Sequence, residues 1–256
     1  MKIISWNVNS IRARYDRFLN YLQTHEPDVV CVQELKCTEA DFPFDEVSSL
    51  GYMASVHGQK SYNGVAILSF EDQAEISCGF DDEVEDSQAR LIAATIGGVR
   101  VVNVYVPNGG ELESDKWVYK LRWYERLHGW LARHHSPSDD LILCGDFNVT
   151  PSDIDVARPQ EWGGGVLCDA RARAQLTRLT TWGLFDTFRE RHPDAVEYSW
   201  WDYRRNGFYN GNGLRIDMIY ATSSLLAQCG SASIDRDERA GEKPSDHAPV
   251  VATFQR

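Results

Sequence analysis

Short apolar runs alternate with amphipathic stretches along most of this chain, and polar residues repeatedly stand where the runs end. Residues 2–6 read as a strand closing in Asn7-Val8-Asn9. Ser10 then caps a predicted helix whose apolar positions Ile11, Tyr15, Phe18, Leu19 and Leu22 recur at helical spacing, and Pro27 stops it. Residues 28–33 (DVVCVQ) form the next buried strand, with Glu34 directly after it. Two strands joined by one helix make a right-handed βαβ unit, which delivers Asn7 and Glu34 to a common edge.

Residues 52–56 and 64–70 read as neighbouring strands, with Lys60, Asn63 and Gly64 in the turn between them. Residues 90–96 and 99–106 flank Gly97-Gly98, a hairpin signature. Tyr105 lies at the end of that hairpin, ahead of the loop Pro107-Asn108-Gly109-Gly110. A helix is predicted over 114–134, with Trp117, Leu121, Tyr124, Leu127 and Leu131 as its packing stripe. The run LILCGDFN (141–148) is a buried strand in which Gly145 is expected to turn the backbone; Asp146 and Asn148 follow at its carboxyl end. In open α/β sheets that edge is where ligands bind. A loop over 150–165, a helix over 171–182 ending at Gly183, and strands over 198–203, 214–220 and 250–254 complete the pattern. ISWNVN and LCGDFN echo one another, as two packed halves of one domain spanning 1–256 would.

Composition narrows the class. The chain has 256 residues, enough for one large core, with the apolar and charged fractions of a globular protein. No run approaches the roughly 18 apolar residues of a membrane span, and the first residues carry no secretory pattern. A cytoplasmic protein is the expectation. Six scattered cysteines without a CxxC pair point to buried free thiols rather than a zinc site. The net charge of −12 argues against a nonspecific nucleic-acid coat, although much of the acid is local, as in the run 81–86. That run reads as a solvated loop.

The strand ends carry the candidate chemistry. Asn7, Glu34, Tyr105, Asp146, Asn148, Asp217, Asp246 and His247 all stand at or beside predicted strand termini. Asp217 lies inside an apolar run, where a carboxylate needs a partner. His247, the one histidine of seven between an acid and a following strand, can supply it, and an Asp–His pair fixes the tautomer and favours the cation. Oxygen ligands of this kind suit Mg²⁺ or Mn²⁺, and carboxylates holding a hard cation beside one imidazole suggest phosphate-ester hydrolysis by activated water. Lys116, Lys120 and Arg122 near a helix start oppose its dipole, which favours a phosphate partner. YSWWDYRR (198–205) joins aromatics to cations, as a base-stacking platform or minor-groove wedge requires.

The set SWNVNSIR, VVCVQELK, YNGVAILS, NVYVPNG, GDFNVTP, WWDYR, GLRIDMIY and PSDHAPV resembles the exonuclease III family of AP endonucleases, within the endonuclease/exonuclease/phosphatase superfamily. The resemblance runs in order from Lys2 to Phe254. It implies a four-layer α/β sandwich, two central β-sheets flanked by helices, as in DNase I. It also implies a Mg²⁺-dependent (or Mn²⁺-dependent) DNA repair nuclease that hydrolyses P–O3′ bonds. Its activities would be removal of 3′-phosphates and other blocks, 3′→5′ exonuclease action on duplex DNA, and incision 5′ to abasic sites.

Carried over by motif, Glu34 binds the metal, with Asn7, Asp246, Asp146 and Asn148 around it. Asp146 activates water beside Asn148, while Tyr105 and His247, held by Asp217, contact the phosphate. Loops holding Lys60, Asn63, Asn108, Lys116, Lys120, Trp201 and Arg204 would grip the DNA of a monomeric enzyme. The stretch Trp162–Ala170, with GGGVLCDA, departs from many relatives; a 3′-phosphatase is therefore the firmer expectation and abasic-site incision the weaker. The alternatives are a same-fold phosphodiesterase acting on RNA or a small phosphorylated molecule, and a DNA-binding module without catalysis.

Overall fold

The computed structural model describes residues 1–255, and Arg205 by its backbone alone. In chain order the strands are β1 (Lys2–Asn7), β2 (Val29–Gln33), β3 (Met53–His57), β4 (Val65–Ser69), β5 (Gln73–Cys78), β6 (Leu91–Ile96), β7 (Val99–Tyr105), β8 (Leu141–Asp146), β9 (Leu184–Asp186), β10 (Asp217–Thr222), β11 (Cys229–Ile234) and β12 (Val250–Phe254). The helices are α1 (Tyr15–His25), α2 (Phe44–Ser49), α3 (Asp115–His134), α4 (Pro159–Trp162), α5 (Ala170–Trp182), α6 (Thr187–Arg191) and α7 (Ser223–Leu226).

Among the described residues the strands form two six-stranded sheets, ordered β11-β12-β1-β2-β4-β3 and β5-β6-β7-β8-β10-β9. Each sheet has a parallel pair at its centre, β1 with β2 and β7 with β8, and antiparallel neighbours around it. The echo between ISWNVN and LCGDFN is this repetition: each motif is a central strand of its own sheet.

Alternation along the central strands builds four layers, since successive side chains point to opposite faces. In β2, Val29 and Cys31 face the second sheet, where Ile142 and Cys144 of β8 meet them. Val30 and Val32 face the other way, onto Phe18, Tyr21 and Leu22 of α1. Leu141 and Leu143 likewise turn outward, onto Trp123, Tyr124 and Leu127 of α3 and Leu176 and Leu179 of α5. Between the sheets, Gln33 Nε2 donates to Asn103 Oδ1 (2.7 Å) and Ser5 Oγ (2.9 Å). Asn103 Nδ2 donates in turn to the carbonyls of Val32 and Ala66. Gln33, at the centre of that buried amide clip, is level with Asn7 and directly precedes Glu34.

Several elements differ from the sequence pattern. Gly145 does not turn; it lies within β8 at φ +146°, and a Cβ there would stand 1.9 Å from the Val104 carbonyl oxygen. Glycine is needed for the close approach of β7, and the turn itself falls at Asn148, with φ +51°. Residues 198–203 form no strand: Trp200 makes only isolated bridges to Leu214 and His247, so this extended segment is wedged between two other segments of the chain. Helix α1 starts at Tyr15, after a 3₁₀ turn, because Ser10 takes a left-handed φ of +88°. The acidic run 81–86 is anchored rather than free, with Asp82 and Asp86 gripping Arg126 of α3 at 2.8 and 2.6 Å. Among the described residues no helix is long and apolar enough to cross a membrane.

Candidate active site

The two parallel pairs end at the same side of the sandwich, and the register shows why their last residues meet. Asn7 of β1 pairs with Gln33 of β2, which places Glu34 one residue beyond. Tyr105 pairs with Asp146, and Asp146 with Asp217 across β8 and β10. Strand β12 runs antiparallel to β1, so His247, just ahead of it, arrives at the same end.

Glu34 adopts a left-handed φ of +53° that turns its side chain into the cleft. Its loop is pinned by Ser10 N–H donating to the Glu34 carbonyl (2.7 Å) and by Leu35 and Lys36 N–H groups donating to Gly64 and Asn63. Tyr105 Oη and Asn7 Nδ2 each donate to Glu34 Oε1 at 2.9 Å. Asn7 Nδ2 also donates to Asp146 Oδ2 at 2.9 Å. Asp146 Oδ1 accepts the Asn148 backbone N–H (2.8 Å), and its Oδ2 lies 3.8 Å from His247 Nε2. Nδ1 of His247 faces Asp217 Oδ2 at 2.9 Å. Single ligand atoms of Glu34, Asp146 and His247 all lie within 4.8 Å of one another.

Burial sets the charges. It pushes the Asp146 carboxyl well above the usual range, against the pull of His247 and with repulsion from Asp217 and Glu34 adding to the rise. Glu34 is held low: burial opposes ionisation, but Lys36, Asn7 and His247 outweigh it. Burial also works against the His247 cation, yet the flanking Asp217 and Asp146 raise the imidazole to about 10. The cluster therefore holds a buried imidazolium between two carboxylates, and the Tyr105 phenol keeps its proton because burial raises its pKa further.

Asp246 stands one layer out, its oxygens accepting from Asn9 Nδ2 (2.8 Å) and Trp200 Nε1 (3.0 Å). The amide oxygen of Asn7 accepts the Asn9 N–H, and that of Asn148 accepts from Asn108 Nδ2, so both amides serve mainly to brace the acids. Lys60, Lys116, Asn108 and Arg204 are exposed along the rim, Arg204 paired with Asp202 at 2.8 Å. Asn63 is turned inward, its side chain donating to Gln59.

Two expected DNA contacts are corrected. Trp201 is 1% exposed, packed on Phe208 in the inter-sheet core. Its neighbour Trp200 faces the cleft instead, 6.4 Å from the His247 ring and edge-on to Trp162, as the alternation of an extended chain requires. Lys120 is wholly buried: Nζ donates to the carbonyls of Asn148 (2.6 Å), Asn108 (3.0 Å) and Val166 (3.0 Å). Burial lowers its pKa to about 7. It ties three loops under the site rather than touching DNA. Lys120→Met should therefore cost about 10²-fold in kcat through lost positioning, while the salt dependence of DNA binding stays unchanged. A salt titration of duplex binding by both proteins checks this.

Other contributors escaped the sequence reading. Lys36 Nζ meets Glu34 Oε2 at 2.8 Å and also bonds Asn9, and Ser199 Oγ donates to Asp217 Oδ2 at 2.6 Å. Lys36 was signalled by its place two residues after Glu34; Ser199 and Asn9 carried no such mark.

A two-sheet sandwich flanked by helices, with acids, amides and one imidazole gathered at one end, defines a phosphoesterase architecture shared with DNase I. The chain belongs to the Endonuclease/Exonuclease/phosphatase family, whose profile matches residues 4–247. It is 38% identical over 267 residues to exodeoxyribonuclease III of Haemophilus influenzae, covering 100% of both chains. A solved AP endonuclease from Archaeoglobus fulgidus superposes on 100% of both chains with a TM-score of 0.97 at 38% identity. The 3′ phosphatase NExo from Neisseria, solved with a product DNA hairpin, does so over 100% of both chains with a TM-score of 0.96 at 39% identity.

Proposed function

We propose that this protein is a DNA repair nuclease of the exonuclease III kind, which uses Mg²⁺ to hydrolyse P–O3′ bonds at 3′-blocked ends, recessed 3′ ends and abasic sites. The observation that carries the reading is Asp146, a buried carboxylate braced by Asn7 and Asn148 and faced by an imidazolium. Such a carboxylate, with its pKa raised toward neutrality, is suited to take a proton from water. Free thiols throughout the described chain suit the reducing cytoplasm, where a monomer would act.

The donor set fits a hard cation. Glu34 and Asp146 present carboxylate oxygens, the chemistry Mg²⁺ prefers, while the protonated His247 has no lone pair to offer. Glu34 would hold the ion with Asp146 beside it, and Lys36 would give up its present place on Oε2. Mg²⁺ held there would supply positive charge against the negative charge that develops as the phosphate ester is cleaved. Asp146 accepts the proton as water attacks phosphorus, and Asn7 and Asn148 hold the carboxylate in line. His247 and Tyr105 donate to the phosphoryl oxygens as charge grows there, with Asp217 fixing the imidazole and keeping it charged.

The test is incubation with duplexes bearing, in turn, a 3′-phosphate, a plain recessed end and an abasic site. With Mg²⁺ the 3′-phosphate should be released and the recessed end degraded; EDTA should abolish both. Glu34→Gln should raise the Mg²⁺ concentration needed for half-maximal rate about tenfold, in line with one lost metal-site interaction. Inertness toward all three substrates, or full activity in EDTA, contradicts the reading.

A further inference from the structure

Beside the cleft, the loop carrying Tyr203 and the loop leading to Asp246 enclose a hollow of about 170 Å³, lined by Tyr203, Asn206, Tyr209, Arg239, Gly241 and Pro244. Arg239 is only 6% exposed, yet among the described residues no carboxylate lies within ion-pair distance of it. Its guanidinium is stacked between the rings of Tyr203 (4.9 Å) and Phe208 (5.2 Å). One Nη donates to the Trp201 carbonyl, and Nε has no partner.

A second cation stands behind the same wall. Arg14 bonds Tyr203 Oη (2.6 Å) and the Pro244 and Asn9 carbonyls, again without a carboxylate, and its Nε is likewise buried and unpartnered. Burial lowers the pKa of Arg239, against the pull of Tyr203, Asp246 and Tyr209, and the charge of Arg14 adds to the fall. In a chain with twelve more acids than bases, neighbouring guanidiniums with no acid in ion-pair contact, Asp246 being the carboxylate that acts on Arg239 from farther off, leave room for an anion. Arg17, Arg126 and Arg215, by contrast, each have a carboxylate. Position narrows the anion further: Arg14 holds Asn9, and Asn9 holds Asp246, so the hollow opens alongside the reacting phosphate.

We propose that this hollow is a second phosphate subsite, which takes a backbone phosphodiester flanking the one being hydrolysed, with Arg239 as its direct partner and Arg14 as supporting charge. The proposal rests on the nuclease reading above. A planar, always-charged guanidinium set between aromatic rings suits a diester, which it can grip with two parallel N–H groups.

The experiment combines protein and DNA changes on a duplex with a 3′-phosphate, replacing single backbone phosphates by neutral methylphosphonates. Arg239→Met should raise KM about tenfold with kcat within about twofold, and should reduce the salt slope of binding by about one. One methylphosphonate position should raise the wild-type KM by a similar factor and cost the variant nothing more, the mark of a shared contact. Arg14→Met should show the same pattern more weakly, and it carries the test, with Arg239→Lys, if Arg239→Met does not fold. Unchanged KM and salt slope in folded variants overturn the subsite, as does a methylphosphonate penalty that is identical in wild type and variant. Competition by inorganic phosphate with no sensitive backbone position would make it a site for the free ion and overturn the assignment to the strand. Failure of the wild type to release phosphate would sink the nuclease reading itself, whereas an active wild type without coupling sinks only the subsite.

Discussion

Asp146→Asn should slow release of phosphate from a 3′-phosphorylated end by about 10³- to 10⁴-fold, at the upper range for loss of a general base, while the protein stays folded. An amide at this position keeps the size of the group, and its one oxygen can accept either the Asn148 N–H or the Asn7 and Asn148 side-chain amides. It cannot take a proton from water. The same change should raise Tm at neutral pH. Burial lifts the folded pKa of Asp146 above its unfolded value, so the ionised group destabilises the fold once pH has risen through that raised pKa. A neutral amide escapes the penalty. Activity has the opposite sense: the wild-type rate should climb with pH as Asp146 ionises, at a pH that bound Mg²⁺ draws downward, then fall as His247 loses its proton. Single-turnover rates from pH 5 to 10.5, alongside thermal melts, check both halves.

The largest effect on stability is expected from Asp155→Ala, at about 3–5 kcal/mol, the usual result of stripping one partner from a buried ion pair. Asp155 is fully buried; Oδ1 accepts from Arg215 Nε (2.6 Å) and Arg189 Nη2 (2.7 Å), and Oδ2 from Ser152. Its removal leaves the buried Arg215 with Asp186 alone. Burial works against the Asp155 charge, but Arg215 outweighs it and holds the carboxyl low. A carboxylate with a depressed folded pKa contributes stability above its unfolded pKa, and that contribution is lost as pH falls through the folded value. The penalty of Asp155→Ala, measured by denaturant midpoints, should therefore be full at neutral pH and shrink in acid. Replacing Arg215 by Met in the same protein should recover much of it.

Much of this molecule is legible in the sequence because its site is built at strand ends. A strand announces itself by apolar runs, and the residue after it is then placed by the backbone alone. Asn7, Glu34, Asp146 and His247 are readable for that reason, and so is the hairpin around Gly97-Gly98. What escapes is whatever tertiary contact decides. Lys120 looks like a surface cation on a helix start, but three carbonyls from distant loops claim it. The choice between Trp200 and Trp201 turns on which face of an extended segment meets the cleft, and two adjacent tryptophans do not say. Gly145 looks like a turn former, yet its role is the closeness of β7 to β8. Asn9, a loop residue, joins Lys36 and Asp246 only through the folded geometry.

Isotope tracing tests the account most directly, because the account stands on water attacking phosphorus at Asp146. With 3′-phosphorylated duplex in ¹⁸O-water and Mg²⁺, a single turnover should place one label in the released inorganic phosphate and leave the DNA 3′-hydroxyl unlabelled. Label in the 3′-hydroxyl, or none in either product, would mean that another bond breaks or another group attacks.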